Sequence, residues 1–173
     1  MSARDREEVV RLEFTSAFEM LDFVQVVSDH IVGGLGLDED AQHWVSVAIR
    51  ECVINAIKHG NQNDASKRVM VEFATAARNG DAELTIAVRD QGTGFDLEAV
   101  ADPLAPENLL KGSGRGIFLI RSFMDDVRLT RPPEGGSEIR MTKPVNEADP
   151  SLRNRRQLPS ILLGTAVEAV TRA

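Results

Sequence analysis

The chain has 173 residues, 42% of them apolar, which suits one domain with a substantial core and a short appendage. A net charge of −7 and a pI near 5.0 argue against duplex DNA or an anionic membrane as the main partner. The lone cysteine, Cys52, cannot close an internal disulfide, Met1–Glu8 is polar and charged unlike a signal peptide, and no apolar run is long enough to cross a bilayer. The expected location is the cytoplasm.

Val9–Phe14 alternates, with Val10, Leu12 and Phe14 on one side, and predicts a strand. Ser16 and Glu19 have the spacing of a capping box, so a helix should start there, with Phe18, Leu21, Val24 and Ile31 on its apolar face. Gly33-Gly34-Leu35-Gly36 ends it. Asp38, Glu39 and Asp40 favour the N-terminus of a second helix, which runs to Gly60. Within it Glu51, Asn55 and His59 recur at steps of four and so stack along one line, among Ala48, Cys52, Val53, Ala56 and Ile57. Polar groups on a helix otherwise buried need partners, either inside the fold or in a ligand.

Asn61–Lys67 reads as a polar turn. Arg68–Ala77 and Ala82–Asp90 read as strands joined at Asn79-Gly80-Asp81. Leu84, Ile86, Val88 and Asp90 share a face of the second, so Asp90 is a carboxylate at the end of an apolar row, as a turn cap or as something more. Residues 91–116 have little periodicity and many glycines, the pattern of a functional lid or of disorder. Gly116–Met124 predicts a helix, followed by strands at Val127–Thr130 and Glu138–Thr142 around Pro132-Pro133-Glu134-Gly135-Gly136. The expected fold class is α+β: a two-layer sandwich with a mixed, mostly antiparallel sheet covered on one face by helices. Residues 1–8 form an N-terminal tail and 9–143 the domain. Residues 144–173 form an extension with a possible short helix, which suits a flexible tail, a self-docking helix or a partner-binding segment equally well.

Three features converge on a nucleotide pocket. Glu51 and Asn55 offer a carboxylate and an amide one turn apart. Asp90 sits beside Gly92 and Gly94, where a flat ligand can approach the backbone closely. Lys111-Gly112-Ser113-Gly114-Arg115-Gly116 leads into a helix N-terminus, whose N–H groups and dipole suit phosphate, although the run is neither a Walker A loop nor a dinucleotide fingerprint. A carboxylate at Asp90 can accept from an exocyclic amino group, which favours adenine. An amide oxygen at Asn55 suits Mg²⁺, and Glu51 can act as general base on a hydroxyl or water. Lys111 and Arg115 can neutralise phosphate charge.

Glu51-x-x-x-Asn55-Ala56-x-x-His59-Gly60, Asp90-x-Gly92-x-Gly94 and Gly112-Ser113-Gly114-Arg115-Gly116, in that order, resemble the Bergerat-fold, histidine-kinase-like ATPases. Within that superfamily Asn55-Ala56-Ile57-Lys58-His59-Gly60-Asn61, the short lid and residues 116–127 look most like the bacterial anti-sigma-factor serine/threonine kinases. The resemblance spans Val9–Lys143. It implies ATP and Mg²⁺ as cofactors, with Asn55 the metal ligand and Glu51 the catalytic base. It further implies Asp90 on the adenine amino group, Gly92 and Gly94 shaping the base pocket, and Gly112, Gly114 and Gly116 bounding the lid. His59 reads as a helix-end residue, and Arg115 as a phosphate contact or a solvated side chain. The implied activity is phosphorylation of an anti-anti-sigma antagonist by an anti-sigma factor that sequesters a sigma factor, in a homodimer with no direct nucleic-acid or membrane contact. An ATP-responsive binding module without kinase activity, or a stand-alone ATPase domain, is the rival reading.

Overall fold

The computed structural model describes residues 8–78, 81–93 and 115–145. Gly94 and residues 111–114 therefore lie outside the described residues, as do the Asn79-Gly80 turn and the extension beyond 145.

Strand β1 (Glu8–Thr15) enters first, and its alternation is realised: Val10, Leu12 and Phe14 are buried, while Val9 stays exposed. The capping box does not form. A 3-10 turn at Phe18–Met20 comes first, no side chain caps it, and the buried Ser16 hydroxyl makes no hydrogen bond. The reason lies in the backbone: Ser16 N–H is still paired to Lys67 O (3.0 Å), which keeps the residue tied to the β1 edge rather than free to turn over a helix end. Phe18 is correspondingly exposed rather than core. Helix α1 (Leu21–Gly33) then buries Leu21, Val24 and Ile31. Its end is marked by Gly36 at φ +75°, a left-handed conformation that glycine adopts without strain.

Helix α2 (Glu39–Asn55) is capped as its acidic start suggests, with Asp38 Oδ1 accepting from Ala41 N (2.8 Å). Its buried face is Val45, Ala48, Ile49, Cys52 and Val53. The helix loosens into a π turn over Ala56–Gly60, closed by Asn61 N–H donating to Ala56 O (2.7 Å). Gln62 and Asn63 follow at φ +56° and +59°, which reverses the chain sharply. Strands β2 (Arg68–Arg78) and β3 (Asp81–Arg89) form a hairpin. Helix α3 (Arg115–Phe123) is followed by β4 (Asp126–Thr130) and β5 (Glu138–Val145).

Among the described residues five strands lie in the order β1-β2-β3-β5-β4, and every pairing is antiparallel rather than mixed. Register carries one row straight across the inner face: Val10, Phe73, Ile86, Met141 and Val127. Onto this row pack Ile31 from α1, Cys52 and Val53 from α2, and Ile120 from α3, within one core. Cys52 Sγ lies 3.5 Å from Met141 Sδ, so α2 sits directly on the central strands. The opposite face carries ion pairs such as Arg11–Glu72, Arg68–Glu13 (3.3 Å) and Arg140–Glu138 (3.0 Å). This is the two-layer α+β sandwich, with helices on one side only among the described residues.

Candidate active site

The site lies where α2 meets the N-terminus of α3 and the C-terminal end of β3. Glu51 and Asn55 are one turn apart on α2 and both half-buried, on the flank of the helix rather than in its core face. Gly116, in the first turn of α3, packs against them. A methyl group there would stand 3.0 Å from Glu51 Oε2 and 3.5 Å from Asn55 Nδ2. Glycine is therefore what lets a helix N-terminus, a carboxylate and an amide share one small space. His59 lies in the π turn and is exposed, and partial burial together with Lys58 lowers its pKa. Arg115 belongs to α3.

Asp90 is 3% exposed, one residue past β3. Its backbone N–H donates to Ser137 O (3.0 Å). Its side chain accepts from Gly92 N (2.8 Å) and Ser137 N (3.1 Å). Both of these bonds end on Oδ1, which carries the turn-cap role and leaves the acceptor capacity of Oδ2 unused by them. Burial raises the Asp90 pKa, and the two backbone donors only partly offset it.

Three glycines make room for this carboxylate. A methyl group at Gly60 would lie 2.3 Å from Asp90 Oδ2, one at Gly92 1.9 Å from Gly60 O, and one at Gly136 2.0 Å from Asp90 O. Gly136 also has φ +81°. Of these, only Gly92 was singled out by its motif as shaping the site. Gly60 was legible as the end of a helix and Gly136 as part of a turn, but their approach to Asp90 is a tertiary fact. Asn61 starts the polar turn that the sequence predicts, and its side chain is wholly buried there.

A cleft of about 370 Å³ reaches Asp90 and Gly92 from the other side of the sheet, between Arg68, Arg89 and Glu134. It does not include Glu51, Asn55 or Gly116, and its arginines are already engaged with Glu13 and Glu134, so it is not the site described above.

The donor set at Glu51 and Asn55 fits a hard cation held mainly by water and phosphate. Both offer oxygen, and among the described residues no group of three or more His, Cys, Asp or Glu side chains forms a dedicated metal cage.

An antiparallel sheet covered on one face by helices, with a polar pair on one helix and a buried carboxylate at a glycine-rich strand end, defines a nucleotide-binding α+β domain. A model of the histidine kinase-like ATPase domain family matches residues 8–143, and the chain belongs to that family. It is 31% identical over 141 residues to an anti-sigma F factor of Oceanobacillus iheyensis, covering 79% of this chain and 92% of the relative. It is 30% identical over 143 residues to the anti-sigma F factor of Bacillus subtilis, covering 80% and 94%. It is 32% identical over 141 residues to an anti-sigma F factor of Clostridium perfringens, covering 79% and 96%. An ATPase domain binds ATP, the nucleotide that the Asp90 carboxylate suggests. No helix among the described residues is long and apolar enough to cross a membrane.

Proposed function

We propose that this protein is an ATP- and Mg²⁺-dependent serine/threonine-protein kinase acting as an anti-sigma factor. It phosphorylates an anti-anti-sigma antagonist and, when not so engaged, sequesters a sigma factor as a homodimer in the cytoplasm. The similarity to anti-sigma F factors over most of both chains supports the partners. The observation that carries the chemistry is the contact of Gly116 with Glu51 and Asn55.

Each residue then has a distinct task. Asp90 Oδ2 accepts from the adenine amino group, while Gly92 and Gly94 keep the base pocket open. Asn55 holds Mg²⁺, which neutralises phosphate charge when bound. Lys111, Gly112, Ser113, Gly114 and Arg115 surround the phosphates, and Gly116 presents the α3 N-terminus to them. Glu51 takes the proton from the attacking serine or threonine hydroxyl. Phosphoryl transfer asks for positioning and charge neutralisation more than for covalent catalysis, which this modest set of groups supplies.

The test is transfer of labelled γ-phosphate from ATP to a serine-bearing antagonist protein. Glu51→Gln should bind ATP normally and lose transfer by at least about a hundredfold, the usual span of general-base catalysis. Full transfer in Glu51→Gln removes Glu51 as the base. ATP binding and sigma-factor capture without any phosphoprotein would instead make the chain an ATP-responsive binding module.

A further inference from the structure

We propose that Asn61 is a positioning residue that sets the base selectivity of the site by fixing the segment carrying Asp90. This rests on the reading of Asp90 as the acceptor of the adenine amino group.

Asn61 is 0% exposed, yet it carries an amide and lies outside every helix and strand. Both ends of that amide are used. Nδ2 donates to Arg68 O (2.9 Å), and Oδ1 accepts from Gln91 N (2.8 Å). Gln91 Oε1 in turn accepts from Arg68 N (2.7 Å). The three residues therefore close a triangle: Gln91 donates to Asn61, Asn61 to Arg68, and Arg68 to Gln91. The orientation of the Asn61 amide is forced, since Arg68 O needs a donor and Gln91 N–H needs an acceptor. Asn61 N–H meanwhile closes the π turn on Ala56 O (2.7 Å).

One buried residue thus ties together the end of the Glu51–Asn55 helix, through its backbone, and the start of β2 and the peptide that follows Asp90, through its side chain. Gly60 and Gly92 show how tight the join is, because neither tolerates a methyl group beside Asp90. A hydrogen bond weakens steeply as its angle opens. Asn61 therefore acts through the aim of Asp90 Oδ2 and touches no ligand itself. Adenine offers an amino donor at the position where guanine offers a carbonyl oxygen. Loosening Asp90 should remove the advantage of ATP and leave the phosphate contacts, common to ATP and GTP, in place.

The experiment measures ATP and GTP dissociation constants with Mg²⁺ for the full chain, Asn61→Ala, Asn61→Asp and Asp90→Asn. For Asn61→Ala, ATP binding should weaken roughly tenfold, the worth of one charge-assisted hydrogen bond, with GTP binding nearly unchanged. Equal weakening of both nucleotides, or of neither, overturns the proposal. Asn61→Asp keeps the acceptor for Gln91 N–H, while it gives up the donor to Arg68 O and sets a carboxyl oxygen in its place. Its ATP preference should lie closer to that of the unaltered chain, and a loss as complete as in Asn61→Ala overturns the Gln91 link. If Asn61→Ala does not fold, amide exchange decides in the unaltered chain. The Gln91 N–H should exchange as slowly as the central-strand amides, and exchange at the rate of an open loop overturns the proposal. Asp90→Asn separates the two readings. Full ATP preference in Asp90→Asn sinks the role of Asp90 itself, whereas loss there with preference kept in Asn61→Ala sinks only the role of Asn61.

Discussion

A methyl group at Gly92 would meet the carbonyl oxygen of Gly60, and one at Gly116 would meet the tip of the Glu51 side chain. The two positions look alike in the sequence but differ in what must give way. Gly92 faces backbone, which cannot move without breaking the Asp90 turn. Gly92→Ala should cost about 1–3 kcal/mol, as overpacking does, and lose nucleotide binding; urea titration and ATP binding check both. Gly116 faces a side chain that can swing aside. Gly116→Ala should change stability by no more than about 1 kcal/mol, since alanine also favours a helix, while phosphoryl transfer falls at least about tenfold through displacement of Glu51. A stable Gly92→Ala, or an active Gly116→Ala, would contradict the geometry. Cys52 makes a third residue-level case. Burial pushes its thiol pKa far up, and Glu51 adds to the shift. Thiol reagent should therefore label the folded protein only at its rate of unfolding, and rapid labelling at neutral pH would count against the packing.

Helix α3 is held at its C-terminal end and, in the proposed function, faces the phosphates at the other. At its C-terminus Phe123 stacks on Trp44 of α2, with ring centroids 3.8 Å apart and planes within 5°. Lys143 Nζ donates to Phe123 O (3.0 Å) and pairs with Asp125 (2.8 Å). Near its N-terminus Gly116 faces Glu51 and Asn55 so closely that an added methyl group would meet both. Residues 44 and 51 are two turns apart on α2, as are 116 and 123 on α3, so the antiparallel helices meet at matched positions. Phe123→Ala should cost about 1–3 kcal/mol and reduce phosphoryl transfer beyond what that loss of stability explains, because the stack sets where Gly116 lies. Trp44 is the chain's only tryptophan, so its fluorescence reports the stack directly. An unchanged emission spectrum in Phe123→Ala would disprove the contact. Elements of this kind were legible one at a time. The β1 alternation, the Asp38 start and the apolar row ending in Asp90 follow from local periodicity. Their meeting was not legible, and neither was Asn61, because a buried asparagine after a helix reads like an exposed one until the strands that satisfy it are in place. The Ser16 capping box failed for the same reason, since a long-range backbone bond outweighed a local pattern.

For the whole molecule, the proposed role of Asp90 sets folding and ligand binding against each other as pH changes. Its pKa is raised in the folded protein, chiefly by burial. The fold therefore binds the Asp90 proton more tightly than the unfolded chain does. The stability that proton contributes is fully present below the unfolded pKa and is lost as pH rises through the raised folded value. Above that value the fold carries a buried, ionised carboxylate whose two backbone donors do not fully replace water. Removing the charge with Asp90→Asn should make the nucleotide-free protein relatively more stable at neutral pH, with the advantage shrinking in acid. ATP reverses the preference, because the ionised carboxylate is the better acceptor for the adenine amino group. ATP affinity should fall as pH drops through the same raised value, and Asp90→Asn should lack that inflection. Bound ligand stabilises a fold by RT ln(1 + [L]/Kd), so saturating ATP at about 100 times Kd adds roughly 2.7 kcal/mol. Thermal unfolding of both proteins, with and without ATP and Mg²⁺ across the acidic range, reads all of these terms together. Unaltered protein whose ATP-induced shift does not shrink in acid, or whose pH profile matches that of Asp90→Asn, would mean that Asp90 titrates without facing the nucleotide. The expected crossover has a physical cause: in the proposed function, the buried carboxylate that burdens the empty fold is the group that accepts from the adenine amino group.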